Sequence, residues 1–239
     1  MNQMTEKQKL ELITGYVKEN IFESHIFNST KKHSKLKSYN INPIVVKYLS
    51  KVLEDDFTPI GIAKALYLPR VLGTSINTTF GTIIQKMFIE LDLAKPSIVQ
   101  GMDIEFIDKI DGHQKWCQLK SGPNTINSGD VKPLIAKFNT VAKLARTNTM
   151  TMNNTDLVLG VLYGKAEQLS QHYRKIDEVF PVYIGKEFWY RLTGHPDFYS
   201  KLVKSLDVMI QTLDTKDFYE KGYTALAEEI KASDLFDFA

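Results

Sequence analysis

Apolar residues Leu10, Ile13, Tyr16, Val17 and Ile21 recur at helical spacing between Lys7 and about Glu23 and predict an opening helix. A basic, polar stretch, STKKHSKLKSYNINP, follows it. Two shorter helices are predicted, one across Ile44 to Leu53 and one near Ile60 to Leu66, the second closed by Pro69. From Thr78 to Leu93, Phe80, Ile83, Ile84, Met87, Phe88 and Leu91 form a wide stripe on a longer amphipathic helix, which Pro96 stops.

The pattern then changes period. IVQGMDIEFID alternates as a strand does, DGHQ offers a turn at Asp111-Gly112, and KWCQLKSG alternates again. After the polar loop SGPNTINSGD, Leu134, Phe138, Val141 and Leu144 mark a helix from about Val131 to Ala145, with Asp130 as its expected N-cap. DLVLGVLYG is a nearly continuous apolar run of the kind found in strands covered on both faces, and VFPVYIG reads as a further strand. The tail from about Asp197 is helical, with Leu202, Leu206, Met209 and Leu213 on one stripe. The order predicts an α/β fold, a mixed β-sheet core flanked by helices, with helical additions at both ends. The segments are 1–77, 78–195 and 196–239, expected to pack as one compact domain.

Composition narrows this little. The 239 residues are 43% hydrophobic and carry a net charge of +2, which permits a nucleic-acid partner without arguing for one. Cys117 is the only cysteine, so no intramolecular disulfide can form and a reducing cytoplasm is the expected setting. It alternates inward with Leu119, which marks it as core and not as a nucleophile. The N-terminus lacks an apolar signal region, and no stretch approaches the roughly 20 apolar residues of a membrane span, so no membrane partner is expected. The histidines show no metal-binding spacing, and neither a GxxxxGK[ST] nor a GxGxxG motif is present, so no nucleotide cofactor is expected.

Chemistry concentrates on two predicted strands. Asp103 and Glu105 share a face of the first; Gln118 and Lys120 share a face of the next. Singly, the acids equally read as a solvated strand face and the lysine as a surface lysine. Jointly they offer carboxylates, an amide oxygen and an ammonium in one place. Phosphodiester hydrolysis wants such a set, because Mg²⁺ prefers oxygen ligands and a lysine can stabilise charge on the phosphate.

Gly101-Met102-Asp103 followed by Gln118-Leu119-Lys120 resembles the PD-(D/E)XK nucleases, whose helix–strand–strand–strand–helix–strand core fits the order from Thr78 to Gly164. Within them, ALYLPRVLGTSINTTFG and QLKSGPNTINSGDVKP are similar to type II restriction endonucleases, in particular those cutting GGNCC-type palindromes. The resemblance implies a homodimer that hydrolyses double-stranded DNA at a short palindromic site with Mg²⁺. It implies Asp103, Gln118 and the Leu119 carbonyl as metal ligands, a second carboxylate from Glu105 or Glu90, with Glu105 preferred, and a catalytic Lys120. Two positions depart from the pattern: Gly101 replaces the usual proline, and Gln118 replaces the usual Glu or Asp.

Local charge segregation adds to this reading. Lys31, Lys32, Lys35 and Lys37 lie in an acid-free stretch, as do Lys132 and Arg146, so both are expected to face DNA. Arg146, Asn148, Asn153 and Asn154 are candidate base contacts; Asn124, Thr125 and Asn127 follow Lys120 and are expected to meet the backbone near the cut. Two other readings stand beside this one: a repair or recombination nuclease on the same core, and a catalytically inactive DNA-binding protein with Gln118 as the mark of decay.

Overall fold

The computed structural model describes residues 4–147, 152–215 and 217–236, the side chains of residues 146 and 236 excepted. In chain order its helices are α1 (Glu6–Tyr16), α2 (Ser24–His33), α3 (Pro43–Glu54), α4 (Pro59–Pro69), α5 (Ile76–Glu90), α6 (Ser128–Thr147), α7 (Gln171–Asp177), α8 (Lys186–Thr193), α9 (Phe198–Ile210) and α10 (Phe218–Lys231). The strands are β1 (Lys95–Pro96), β2 (Ile104–Ile107), β3 (Gln114–Lys120), β4 (Leu157–Val161) and β5 (Val182–Ile184). Two compact units emerge: Met1–Tyr16 with Gly81–Ile210, and Val17–Phe80 with Gln211–Ala239.

The first unit is built on a five-stranded mixed sheet in the order β1-β2-β3-β4-β5. The pairs β1–β2 and β2–β3 are antiparallel, whereas β3–β4 and β4–β5 are parallel. All five residues of β4 are buried, as its unbroken apolar run requires of a strand covered on both faces. On one face Trp116, Leu157, Leu159, Val161, Val182 and Ile184 share a core with Leu134, Phe138 and Val141 of α6 and Tyr173 and Ile176 of α7. On the other, Phe188 meets Phe88 and Phe106 edge-on. Gly160 is needed there, since a Cβ would come within 2.7 Å of the Phe188 ring and 2.8 Å of Cys117 Sγ.

The second unit is helical. Ile62, Ala63, Ala65 and Tyr67 of α4 form its core with Val46 of α3 and Leu226, Ala227 and Ile230 of α10. Caps define its helix starts: the Asn42 side chain accepts from the Ile44 and Val45 amides, and Thr58 Oγ1 accepts from the Gly61 amide.

Several elements differ from the periodicity reading. The first helix continues past Glu23, through a π-helical turn at Val17–Glu23 into α2, so Lys31 and Lys32 lie on its last turn. Helix α4 does end at Pro69, but the helical course does not stop there; a π-helical turn, Arg70–Ser75, carries the chain into α5. The strand expected from Ile98 begins only at Ile104, because Gly101 has φ +95° and the Met102 amide closes a turn onto the Val99 carbonyl. Pro96 lies in β1, an edge position where its missing N–H leaves no gap. Helix α8 was hidden behind the strand-like run before it. The N-cap of α6 is Asn127, not Asp130. The Asn127 side chain accepts from the Gly129 amide, while Asp130, three residues on, reaches back to accept from the Asn127 amide.

Candidate active site

The site forms where the β2–β3 ladder breaks. Pairing is regular from Ile107↔Gln114 to Ile104↔Cys117. At Asp103 it changes: the amide still donates to the Cys117 carbonyl at 2.9 Å. The turn at Gly101 has already carried the preceding backbone away, so no carbonyl follows to receive the Leu119 amide. The Asp103 carboxylate takes that place, its Oδ2 accepting from Leu119 N–H at 2.7 Å. Met102, which strict alternation would put with Ile104, belongs instead to the core of Trp116 and Phe138, as an extra residue in a strand would cause. Asp103 Oδ1 has no hydrogen-bond partner among the described residues.

Leu119 faces the same gap with both backbone groups. The Lys120 carbonyl accepts from the Leu162 amide on the β4 side. Peptide groups alternate along a strand, so the N–H and C=O of Leu119 point the other way, toward Asp103. Gln118 and Lys120 lie on the face of Trp116, both half-buried. Gln118 Oε1 accepts from Lys137 Nζ of α6 at 3.5 Å, and the stem of Lys137 crosses Gly101 so closely that a Cβ there would overlap Lys137 Cε. Among the described residues Lys120 makes no ion pair.

Glu105 is held by other partners. Its Oε1 accepts from Ser97 Oγ at 2.8 Å and the Ile98 amide at 3.1 Å, and its Oε2 from Gln114 Nε2 at 2.7 Å. Both oxygens are thus engaged at the β1 edge of the sheet. Exposed Glu90, at the end of α5, accepts from Tyr16 Oη at 2.7 Å. Burial and then this bond push the Tyr16 hydroxyl up to about 12, so it remains a donor at neutral pH. Among the described residues no three His, Cys, Asp or Glu side chains gather to hold a metal. At the gap the Asp103 carboxylate meets the Leu119 peptide, with Gln118 and Lys120 on either side of it in the chain, on the Trp116 face of the strand. Cys117 is fully buried, and burial followed by the Asp103 charge raises its thiol pKa, so the thiol is inert.

The expected DNA contacts fall into distinct settings. Lys31, Lys32 and Lys37 are exposed, and Lys35 pairs with Glu229 at 3.0 Å. Lys132 is exposed on α6, and Asn124 projects from the loop after Lys120. Thr125 in that loop is tied inward, its Oγ1 donating to the Gly122 carbonyl and bonding Tyr173 Oη, and Asn127 caps α6. Asn153 and Asn154 are exposed before β4. The Arg146 side chain and Asn148 lie outside the described residues. One neighbour was not identified from the sequence: Tyr163 packs its ring on Gly122. Lys137 belongs to the acid-free basic segment between Asp130 and Asp156, but nothing in that segment set it apart as a neighbour of Gln118.

A mixed five-stranded sheet flanked by helices, with an acid and a Gln-x-Lys segment at one ladder break, is a restriction-endonuclease-like core. The family model of the type II restriction endonuclease EcoO109I matches residues 14–214, and the chain belongs to that family. It is therefore a DNA-cleaving hydrolase of a restriction system, and DNA is its partner. No curated protein matches the chain. No helix among the described residues is long and apolar enough to cross a membrane.

Proposed function

We propose that the chain is a Mg²⁺-dependent homodimeric endonuclease of the cytoplasm, cutting double-stranded DNA at a short palindrome of the GGNCC type. The observation that carries this reading is the Asp103 carboxylate held at 2.7 Å on the peptide between Gln118 and Lys120. The donors fit the ion: Mg²⁺ is usually bound through one or two carboxylates, with waters and substrate phosphate completing its shell. Asp103, the Leu119 carbonyl and Gln118 would hold it, with Glu105 or Glu90 the source of a second carboxylate. When bound it supplies charge stabilisation at the phosphate and a more acidic water.

The protein's own groups do the rest. The Leu119 amide orients the Asp103 carboxylate and leaves Oδ1 facing the gap. Lys120, unpaired, presents its ammonium to a non-bridging phosphate oxygen, where negative charge grows as water adds to phosphorus and the ester P–O bond breaks. Glu105, its oxygens engaged, holds the β1–β2 edge. A palindrome read by two copies explains the dimer, because two-fold symmetry places one such site on each strand. Lys31, Lys32, Lys35, Lys37 and Lys132 supply phosphate contacts and Asn124, Thr125 and Asn127 meet the backbone near the cut; Arg146, Asn148, Asn153 and Asn154 are the candidates for reading bases.

Phage DNA incubated with the purified protein, with and without Mg²⁺, and sequenced at its fragment ends tests the proposal. Discrete ends at one palindrome, only with Mg²⁺, are expected; scattered ends, or cutting without divalent ion, refute it. Lys137 on Gln118 favours one second reading, a DNA-binding protein whose site is shut. It predicts duplex binding with no cleavage under any metal.

A further inference from the structure

Lys137 is a lysine in an unusual place. It lies on α6 between Leu134 and Phe138, both buried, on the side of the helix that packs on the sheet. A lysine at such a position ordinarily runs its stem out to solvent and keeps the ammonium hydrated. This one is half-buried, crosses Gly101, and ends at Gln118 Oε1, 3.5 Å away. It makes no salt bridge among the described residues. That leaves an ammonium whose hydrogen bonding among the described residues is one long bond to a neutral amide.

Both departures from the nuclease pattern suit that lysine. Any side chain at position 101 would occupy the path of the Lys137 stem, and φ +95° there disfavours one in any case. A glutamate at position 118 would close an ion pair on Lys137 and cancel its charge; glutamine accepts the hydrogen bond and leaves the charge intact. A partly desolvated cation without a counter-charge is costly unless a ligand supplies one. Here the ligand is a polyanion.

We propose that Lys137 is a second phosphate-binding residue of the active site, held over Gly101 by Gln118 so that its ammonium meets a backbone phosphate of bound DNA beside the one served by Lys120. This rests on the placement of the active site at Asp103, Gln118 and Lys120.

The test uses the full-length protein and variants Lys137→Met, Lys137→Arg and Gln118→Glu, with Asp103→Asn as reference. Binding to a random-sequence duplex is measured without divalent ion over a range of salt. Losing one phosphate contact lowers the slope of log K against log salt by about 0.9. Lys137→Met and Gln118→Glu should each lower it so, the latter by neutralising the ammonium in place, and Lys137→Arg should keep it. Single-turnover cleavage by Lys137→Met should fall by up to about 100-fold, because a neighbouring phosphate no longer held lets the scissile one shift out of place, with Lys137→Arg restoring part of it. An unchanged slope in Lys137→Met overturns the proposal; if that variant does not fold, an unchanged slope in Gln118→Glu does so. Failure of the active-site reading looks different: Asp103→Asn then cuts as well as the unaltered protein, whatever Lys137 does.

Discussion

Replacing Asp103 by asparagine removes one charge and almost no shape. The amide oxygen of the new side chain can still accept from the Leu119 amide, so the bond at 2.7 Å persists in neutral form. Charge-assisted hydrogen bonds are roughly twice as strong as neutral ones, and a neutral one contributes about 0.5–1.5 kcal/mol, so the variant should lose about 1 kcal/mol of stability. At this chain length that lowers Tm by about 2–4 °C. Cleavage should suffer far more. In the proposed site Asp103 is the carboxylate that the Leu119 amide holds, and an interaction made in the transition state is worth about 2.7–4 kcal/mol, or 10²–10³ in rate. Single-turnover cleavage of phage DNA, a melting curve and a gel shift without Mg²⁺ separate these effects. A drop of at least about 100-fold in cutting is expected, with binding retained and melting only slightly lower. If Asp103→Asn cuts within about fivefold of the unaltered protein, the carboxylate is not at the chemical centre and the site has been misplaced.

Lys120→Ala should bind duplex DNA but cut it about 10²-fold or more slowly, which gel shift and cleavage on one preparation will report; loss of binding alone would contradict its role. Glu105→Gln should cut within about threefold of the unaltered protein, whereas Glu105→Ala, which strips partners from Ser97, Ile98 and Gln114, should lower stability by about 1–3 kcal/mol in denaturant melts. Lys115 is 1% exposed and bonds Asp156, itself 4% exposed, at 3.0 Å, so Lys115→Met strands a buried carboxylate and should lose about 3–5 kcal/mol. Burial pushes the Asp156 carboxyl up, but the Asn153 amide and Lys115 outweigh it and hold the pKa below 3.8. That depressed value stabilises the fold fully above the unfolded pKa, and the benefit is lost as pH falls through the folded one. Asp156→Asn should therefore flatten the stability profile below about pH 4, where acid melts can detect it.

What the sequence determined alone is local. Period-two alternation at Lys115–Lys120 and the unbroken apolar run Leu157–Val161 report strands because side chains alternate on every pleat, whatever lies beyond. The stripe Leu134, Phe138, Val141 reports α6 for the same kind of reason, and Asp103 with Gln-x-Lys in two predicted strands carries the resemblance to nucleases. What only the tertiary structure decided depends on contacts between residues distant in the chain. Alternation counted Glu105 as Asp103's companion. Yet its oxygens are engaged by Ser97 and Ile98, just past a strand, β1, too short to leave a pattern, and by Gln114 of β3. The Gly101 turn breaks the ladder and points Asp103 at Leu119, and Lys137 crosses the vacancy left by a missing Cβ. The union of residues 1–16 with 81–210, and of 17–80 with 211–239, likewise follows from which apolar faces meet. Hydrophobic period records which face a residue turns inward; it does not record what that face will find there.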